Sequence, residues 1–179
     1  MKRALVAILS VVMAASLTLA TSIRPISIEM MATRASLVAE GRVVSSWSQW
    51  NPEHTMIVTY TRFQISRALK GAASGEVTIR QPGGSVGMYR DIVHGVRYMK
   101  PGEEAALFLE QSSERDGTMI VVGLVQGMFR ISREASGATF VSNGMNGVQA
   151  QEENGAVHAF GGTRIPLSEF ETRVTKAAR

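Results

Sequence analysis

The chain has 179 residues, 19 Lys and Arg against 15 Asp and Glu, a formal net charge of +4, and no cysteine. Without Cys there are no disulfide staples, no thiol nucleophile, no zinc–thiolate site and no haem attachment. The arginines are scattered with no two adjacent, which reads as a solvated mixed-charge surface and not as a nucleic-acid footprint.

Met1-Lys2-Arg3 is a short basic region, and Ala4 to Ala20 is apolar except for Ser10, Ser16 and Thr18. Thr18-Leu19-Ala20 places small residues at the positions a signal peptidase reads, so residues 1–20 are expected to be a secretory signal peptide. The stretch is shorter than the about 20 residues of a spanning helix, and a lipid anchor would need a cysteine. N-terminal sequencing of exported protein is expected to start at Thr21; a Met1 terminus in a membrane fraction would overturn this. Cleavage removes Lys2 and Arg3, so the net charge falls from +4 to +2. The remaining chain, residues 21–179, suits one domain with its own core, and the expected location is secreted or periplasmic in a bacterium.

In chain order, Ser27 is expected to cap a short helix over Ile28–Ser36, with Glu29 at its positive end. Leu37–Val44 is strand-rich, with Gly41 marking a bulge or bend, and it runs on to Trp50. Asn51–His54 reads as a turn. Thr55–Ala68 is the longest strand signal, and Glu76–Arg80 alternates with Val77 and Ile79 inward. Residues 85–100 are expected to be irregular, with a short strand near Ile92-Val93. Ala105–Leu109 is apolar on both faces and reads as a central strand. Asp116-Gly117 is a hairpin signal before Thr118–Val125. Met128–Ile131 and Ala138–Val141 follow as strands. Residues 142–164, rich in Gly and Asn and without clear periodicity, read as a long flexible loop. Ser168–Glu171 has the pattern of a capping box opening a C-terminal helix. Together these predict a mainly β domain: a small antiparallel, OB-like barrel with a short N-terminal helix and a C-terminal helix.

The run Val38–Val43, then Trp47, Thr59-Tyr60-Thr61, Leu69-Lys70-Gly71, Gly83-Gly84, Pro101-Gly102-Glu103, Leu107-Phe108-Leu109 and Gln126–Phe129, resembles a family of uncharacterised secreted bacterial proteins. That family has a barrel related to the OB-fold and to the netrin-like domain of metalloproteinase inhibitors. The resemblance covers about residues 37–131. It implies a fold and brings no catalytic residues. The inhibitor mechanism uses an N-terminal cysteine, which this chain lacks.

Gly83-Gly84-Ser85-Val86-Gly87 fits the G-x-S-x-G pattern of a nucleophile elbow, with Asp91 or Asp116 and then His158 in the chain order of a triad. The elbow requires a strand-to-helix turn, and residues 88–98 carry no helix cap. His54, His94 and His158 have no metal-ligand spacing. Glu103-Glu104 are adjacent, so on a strand they point apart. Lys70-Gly71 reads as a strand-ending turn. Trp47 and Trp50, three apart on a strand, face opposite sides. Trp47 is expected in the core and Trp50 at the surface, where an aromatic ring can stack on a sugar or seat a peptide.

The reading that follows is an exported, non-enzymatic binding module. Its partner is an extracytoplasmic protein or glycan, with no nucleic acid, cofactor or metal, and no membrane span once the signal is removed. The expected contact residues are Trp50 and Tyr60, with the 142–164 loop. The alternatives are a small serine hydrolase using Ser85 and, by fold analogy, a protease-inhibitor-like module.

Overall fold

The computed structural model describes residues 23–114, 116–146, 148–151 and 157–179. The signal-peptide expectation lies outside these residues. Helix α1 (Ile28–Arg34) precedes strands β1 (Leu37–Trp50), β2 (Ile57–Lys70), β3 (Glu76–Pro82), β4 (Gly84–Val86), β5 (Tyr89–Asp91), β6 (Glu104–Gln111) and β7 (Met119–Val121). A 3₁₀ turn (Leu124–Gly127) then leads to β8 (Met128–Arg133), β9 (Thr139–Ser142), β10 (Val148–Gln151), β11 (Val157–Phe160), β12 (Arg164–Pro166) and helix α2 (Leu167–Ala177).

Five strands close into a ring in the order β1–β2–β3–β7–β6 and back to β1. The expected mainly β, small barrel is therefore what the chain forms. One seam departs from antiparallel: β3 meets β7 in parallel through the single register pair Ile79–Met119. Strand β6 is the hub. It pairs with β1 along one edge; along the other, Leu109–Gln111 pair with β7 and Ala105–Leu107 with β8. Beyond β8 the sheet continues through β9 to β12.

The central placement of Leu107-Phe108-Leu109 explains why that run is apolar on both faces. Leu107 and Leu109 fill the barrel interior with Leu37, Val43, Phe63 and Ile79. Phe108 points the other way, into a second core between the barrel wall and the two helices. There its ring packs edge-on to Phe129 at 5.8 Å and Phe170 at 5.6 Å. Met31 of α1 and Val174 of α2 complete this layer.

Helix α1 forms as its sequence predicts. The Ser27 hydroxyl accepts the Met30 N–H at 3.1 Å. At its other end Lys70 Nζ donates to the carbonyls of Ala32 (2.7 Å) and Thr33 (3.1 Å), satisfying carbonyls that a helix terminus leaves open. The Arg173 guanidinium grips both oxygens of Glu29, at 2.7 and 3.0 Å, and so ties α2 to α1. Gly41 marks a break in register between β1 and β2, as its position in the strand suggests.

Three expectations need correction. Residues 85–100 hold the β4–β5 hairpin, not a strand at Ile92-Val93; Ile92 is 66% exposed. Residues 142–164 are not structureless, because β10 and β11 pair there from Val148–Phe160 to Gln151–Val157. Val148-Gln-Ala150 and Val157-His-Ala159 carry a short alternation that the surrounding Gly and Asn residues obscure. Helix α2 opens at Leu167 behind Pro166 with no side-chain cap. Ser168 lies within the first turn, and its carbonyl accepts the Thr172 hydroxyl at 2.8 Å.

Candidate functional site

The end of the barrel carrying the second half of β1 differs from the rest. Its interior positions hold hydroxyls in place of aliphatic side chains. Ser46 and Thr61 face each other at 3.3 Å, and Ser48 and Thr59 at 2.8 Å. The Thr59 hydroxyl donates onward to the Gly83 carbonyl at 2.7 Å. This fixes the chain leaving β3 against the β1–β2 pair.

The β4–β5 hairpin then folds over this end. Val86 pairs with Tyr89 across a two-residue turn, Gly87-Met88, and Gly87 supplies the positive φ of +57° that such turns require. At Gly84 the backbone comes so close that a Cβ would lie 2.4 Å from both Ser48 Oγ and Thr59 Oγ1. Only glycine fits there. The Gly-Gly-Ser-Val-Gly pattern is thus explained by close approach and a tight turn. Ser85 sits exposed on a hairpin strand opposite Arg90, and no helix follows it. The His158 side chain lies outside what is described.

Between hairpin and barrel lies an open cavity of about 380 Å³, bordered by Ser46, Trp47, Ser48, Ser85, Arg90 and Tyr98 among others. Tyr98 donates its hydroxyl to the Pro82 carbonyl at 2.9 Å. Burial, with a contribution from Asp91, raises its ionisation above the ordinary tyrosine value, so it stays a donor.

Other aromatic residues form two groups, and Trp47 of the first borders this cavity. Trp47 stacks on its cross-strand partner Tyr60, with centroids 5.6 Å apart and planes 19° apart. Trp50 meets Tyr89 edge-on at 5.5 Å and stacks on His54 at 6.2 Å. Trp47 is not in the core as expected, whereas the two tryptophans do face opposite sides. Trp47 is 41% exposed, whereas Trp50 is half-buried under its own chain's Tyr89 and His54. The reason is a register shift between Val43 and Ser45: Leu37, Ala39 and Val43 point into the barrel before it, and Ser46 and Ser48 do so after it, which turns Trp47 outward. Tyr60 is at the surface end as expected, but against Trp47 and not Trp50. None of the described residues of the 142–164 segment borders the cavity; β9 and β12, which bracket it, lie at the far end of the sheet.

Sequence reasoning missed Met88, Tyr89 and Ile92, which are 96%, 62% and 66% exposed. The signal was Gly87 between two β-prone flanks, a hairpin turn concealed by the resemblance of the same glycines to a catalytic motif. Among the described residues, no group of three or more His, Asp or Glu is arranged to hold a metal ion. No described helix is long and apolar enough to cross a membrane. No protein-family model and no curated protein matches the chain.

Proposed function

We propose that this protein is an exported, non-enzymatic binding module built on an OB-like barrel, and that it engages a polypeptide partner through the face formed by Trp47, Tyr60 and the β4–β5 hairpin. The observation that carries the reading is the exposure of Met88 and Tyr89 on the hairpin and of Ile92 just after it, beside a half-exposed tryptophan. Large apolar side chains grouped at one surface mark interaction sites. Tryptophan and tyrosine are over-represented among the residues that dominate such contacts. The barrel order of five strands and the signal-like N-terminus support the OB-like and exported parts of the proposal.

A glycan ligand is the second reading, favoured by a specific feature. Trp47, stacked on Tyr60, borders a cavity rimmed by Ser46, Ser48, Ser85 and Arg90. That combination offers a flat apolar platform beside hydrogen-bonding groups.

Affinity capture from the native envelope or culture supernatant, followed by binding measurements on the captured partner, tests the proposal. Trp47→Ala and Met88→Ser are expected to weaken binding at least tenfold, about 1.4 kcal/mol or more, since anchor residues commonly cost more than about 2 kcal/mol when truncated. The melting point should stay nearly unchanged for Met88→Ser, whose side chain is almost fully exposed, and fall by only a few degrees for Trp47→Ala, which also loses the stack on Tyr60. Parent-like binding by both variants would place the contact elsewhere. Capture of a glycan, with Trp47→Ala but not Met88→Ser defective, would select the second reading. Labelling by a fluorophosphonate that disappears in Ser85→Ala would overturn the non-enzymatic part.

A further inference from the structure

The outward face of β1, β6 and β8 is covered by the helices over only half of its length. Val38, Phe108 and Phe129 lie under α1 and α2. The same rows continue in Glu40 and Arg42 on β1, Glu104 on β6 and Ile131 and Arg133 on β8, which border an open groove of about 680 Å³ ending at Leu167, the first residue of α2.

The charges in this groove are paired, with one exception. Arg42 and Arg133 both engage Glu104, the second at 2.6 Å. Arg67, next to it on β2, engages Glu171 of α2 at 2.5 Å. Glu40 is more than nine-tenths buried, and its Oε1 has no hydrogen-bond partner among the described residues. A buried carboxylate oxygen left without a donor is costly, so structures normally supply one.

We propose that the groove is a binding site for a primary alkylammonium group, with the ammonium donating to Glu40 and its carbon chain lying along Leu167, Ile131 and Val44. An ammonium in the groove brings a donor and the opposite charge to the Glu40 carboxyl at once. The two groove arginines keep 59% and 64% of their side chains exposed, so water screens them from an incoming cation. The apolar wall suits a methylene chain, which lysine-like groups bury while holding the charge at the tip. This site stands apart from the aromatic face and does not rest on it.

Electrostatics at Glu40 agree with a carboxyl in want of a cation. Burial, then the charge of the neighbouring Glu171 carboxylate and a proton shared with it, raise its ionisation from 4.5 to about 7, with Arg67 acting in the opposite direction. In the folded protein Glu40 thus keeps its proton up to about pH 7, while the unfolded chain releases it near 4.5. Between these values the native state binds more protons, so stability falls as pH rises through that window and levels off above it. Glu104, Arg42 and Arg133 also face this part of the groove, but they are engaged with one another.

The test is calorimetric titration of the full mature chain with 1,5-diaminopentane, Nα-acetyl-lysine methylamide and, as an uncharged control, 1,5-pentanediol. Saturable binding of the two amines and none of the diol is expected. Binding should tighten roughly tenfold from pH 6 to pH 8, following the ionised fraction of a group near 7. Proton release should appear as a heat that depends on the buffer. Glu40→Gln should bind at least tenfold more weakly, and relative to the parent it should gain stability as pH rises from about 4.5 to 7. If the lysine amide equals or exceeds the diamine, the natural source is a lysine on a partner chain; if the diamine is clearly tighter, it is a free polyamine. Absence of saturable binding by either amine overturns the proposal. So does equal binding by a folded Glu40→Gln. Should that variant not fold, pH-independent binding or a diol as tight as the diamine overturns it in the parent protein.

Discussion

Phe108→Ala is expected to cost about 3–5 kcal/mol, the range for removing a buried aromatic ring, and to lower the melting point by about 6–20 °C in a domain of this size. Phe108 is fully buried and is the hinge of an aromatic triad in which Phe129 and Phe170 themselves lie 5.1 Å apart. Its loss opens a void between the barrel wall and both helices, and those rings cannot collapse into it without moving α2. Phe108→Leu should recover a substantial part of the loss. Ile92→Ala, at an exposed position, should leave melting almost unchanged. A shift under about 2 °C for Phe108→Ala would mean that the helices do not rest on β6.

Gly41→Ala is expected to be nearly as harmful, although it adds only one methyl group. A Cβ at this position would lie 2.1 Å from the Gln64 carbonyl oxygen and 2.8 Å from the Phe63 ring. The first contact is backbone, so no side-chain rotation relieves it. Overpacking a core position typically costs about 1–3 kcal/mol, and here the β1–β2 register must shift as well. Thermal unfolding should show a fall of several degrees. Gly117→Ala is a useful comparison. Gly117 has open space around it and a φ of +78°, so its penalty is backbone strain alone. Equal melting points for the Gly41→Ala variant and its parent would show that the bulge is not tightly packed.

How far the sequence revealed this molecule depended on whether a residue's surroundings were local. Leu107-Phe108-Leu109 announced a central strand because burial on two faces leaves a continuous apolar run. Ser27 announced α1 because a cap acts within three residues. Ser168 misled because Pro166 just before it set the helix start, leaving the serine inside the first turn. Trp47 misled for a different reason: alternation along a strand fixes sides only while the register is unbroken, and the β1–β2 register shifts between Val43 and Ser45. Gly84 was visible as a glycine but not as a contact, since Ser48 and Thr59 reach it only through tertiary closure. Glu40 could not be singled out at all. Its burial depends on α2, more than a hundred residues later, descending beside it.

The single parallel pair at Ile79 and Met119 gives the barrel a latch. Every other junction in the ring is a ladder of several residue pairs, whereas this one joins segments 40 positions apart through one. Closure needs chain entropy to be lost before contacts compensate for it, and a junction of one pair compensates least, even though β1 and β6 lie further apart in the chain. The β1–β2 hairpin can zip up first, β6 can then dock on it, and the cylinder shuts last. The same asymmetry governs how it opens: brief excursions should part β3 from β7 while β1, β2 and β6 hold together. The amide hydrogens bonded across the Ile79–Met119 junction should therefore exchange with solvent sooner than those of Phe63 and Leu107, although these side chains are all buried.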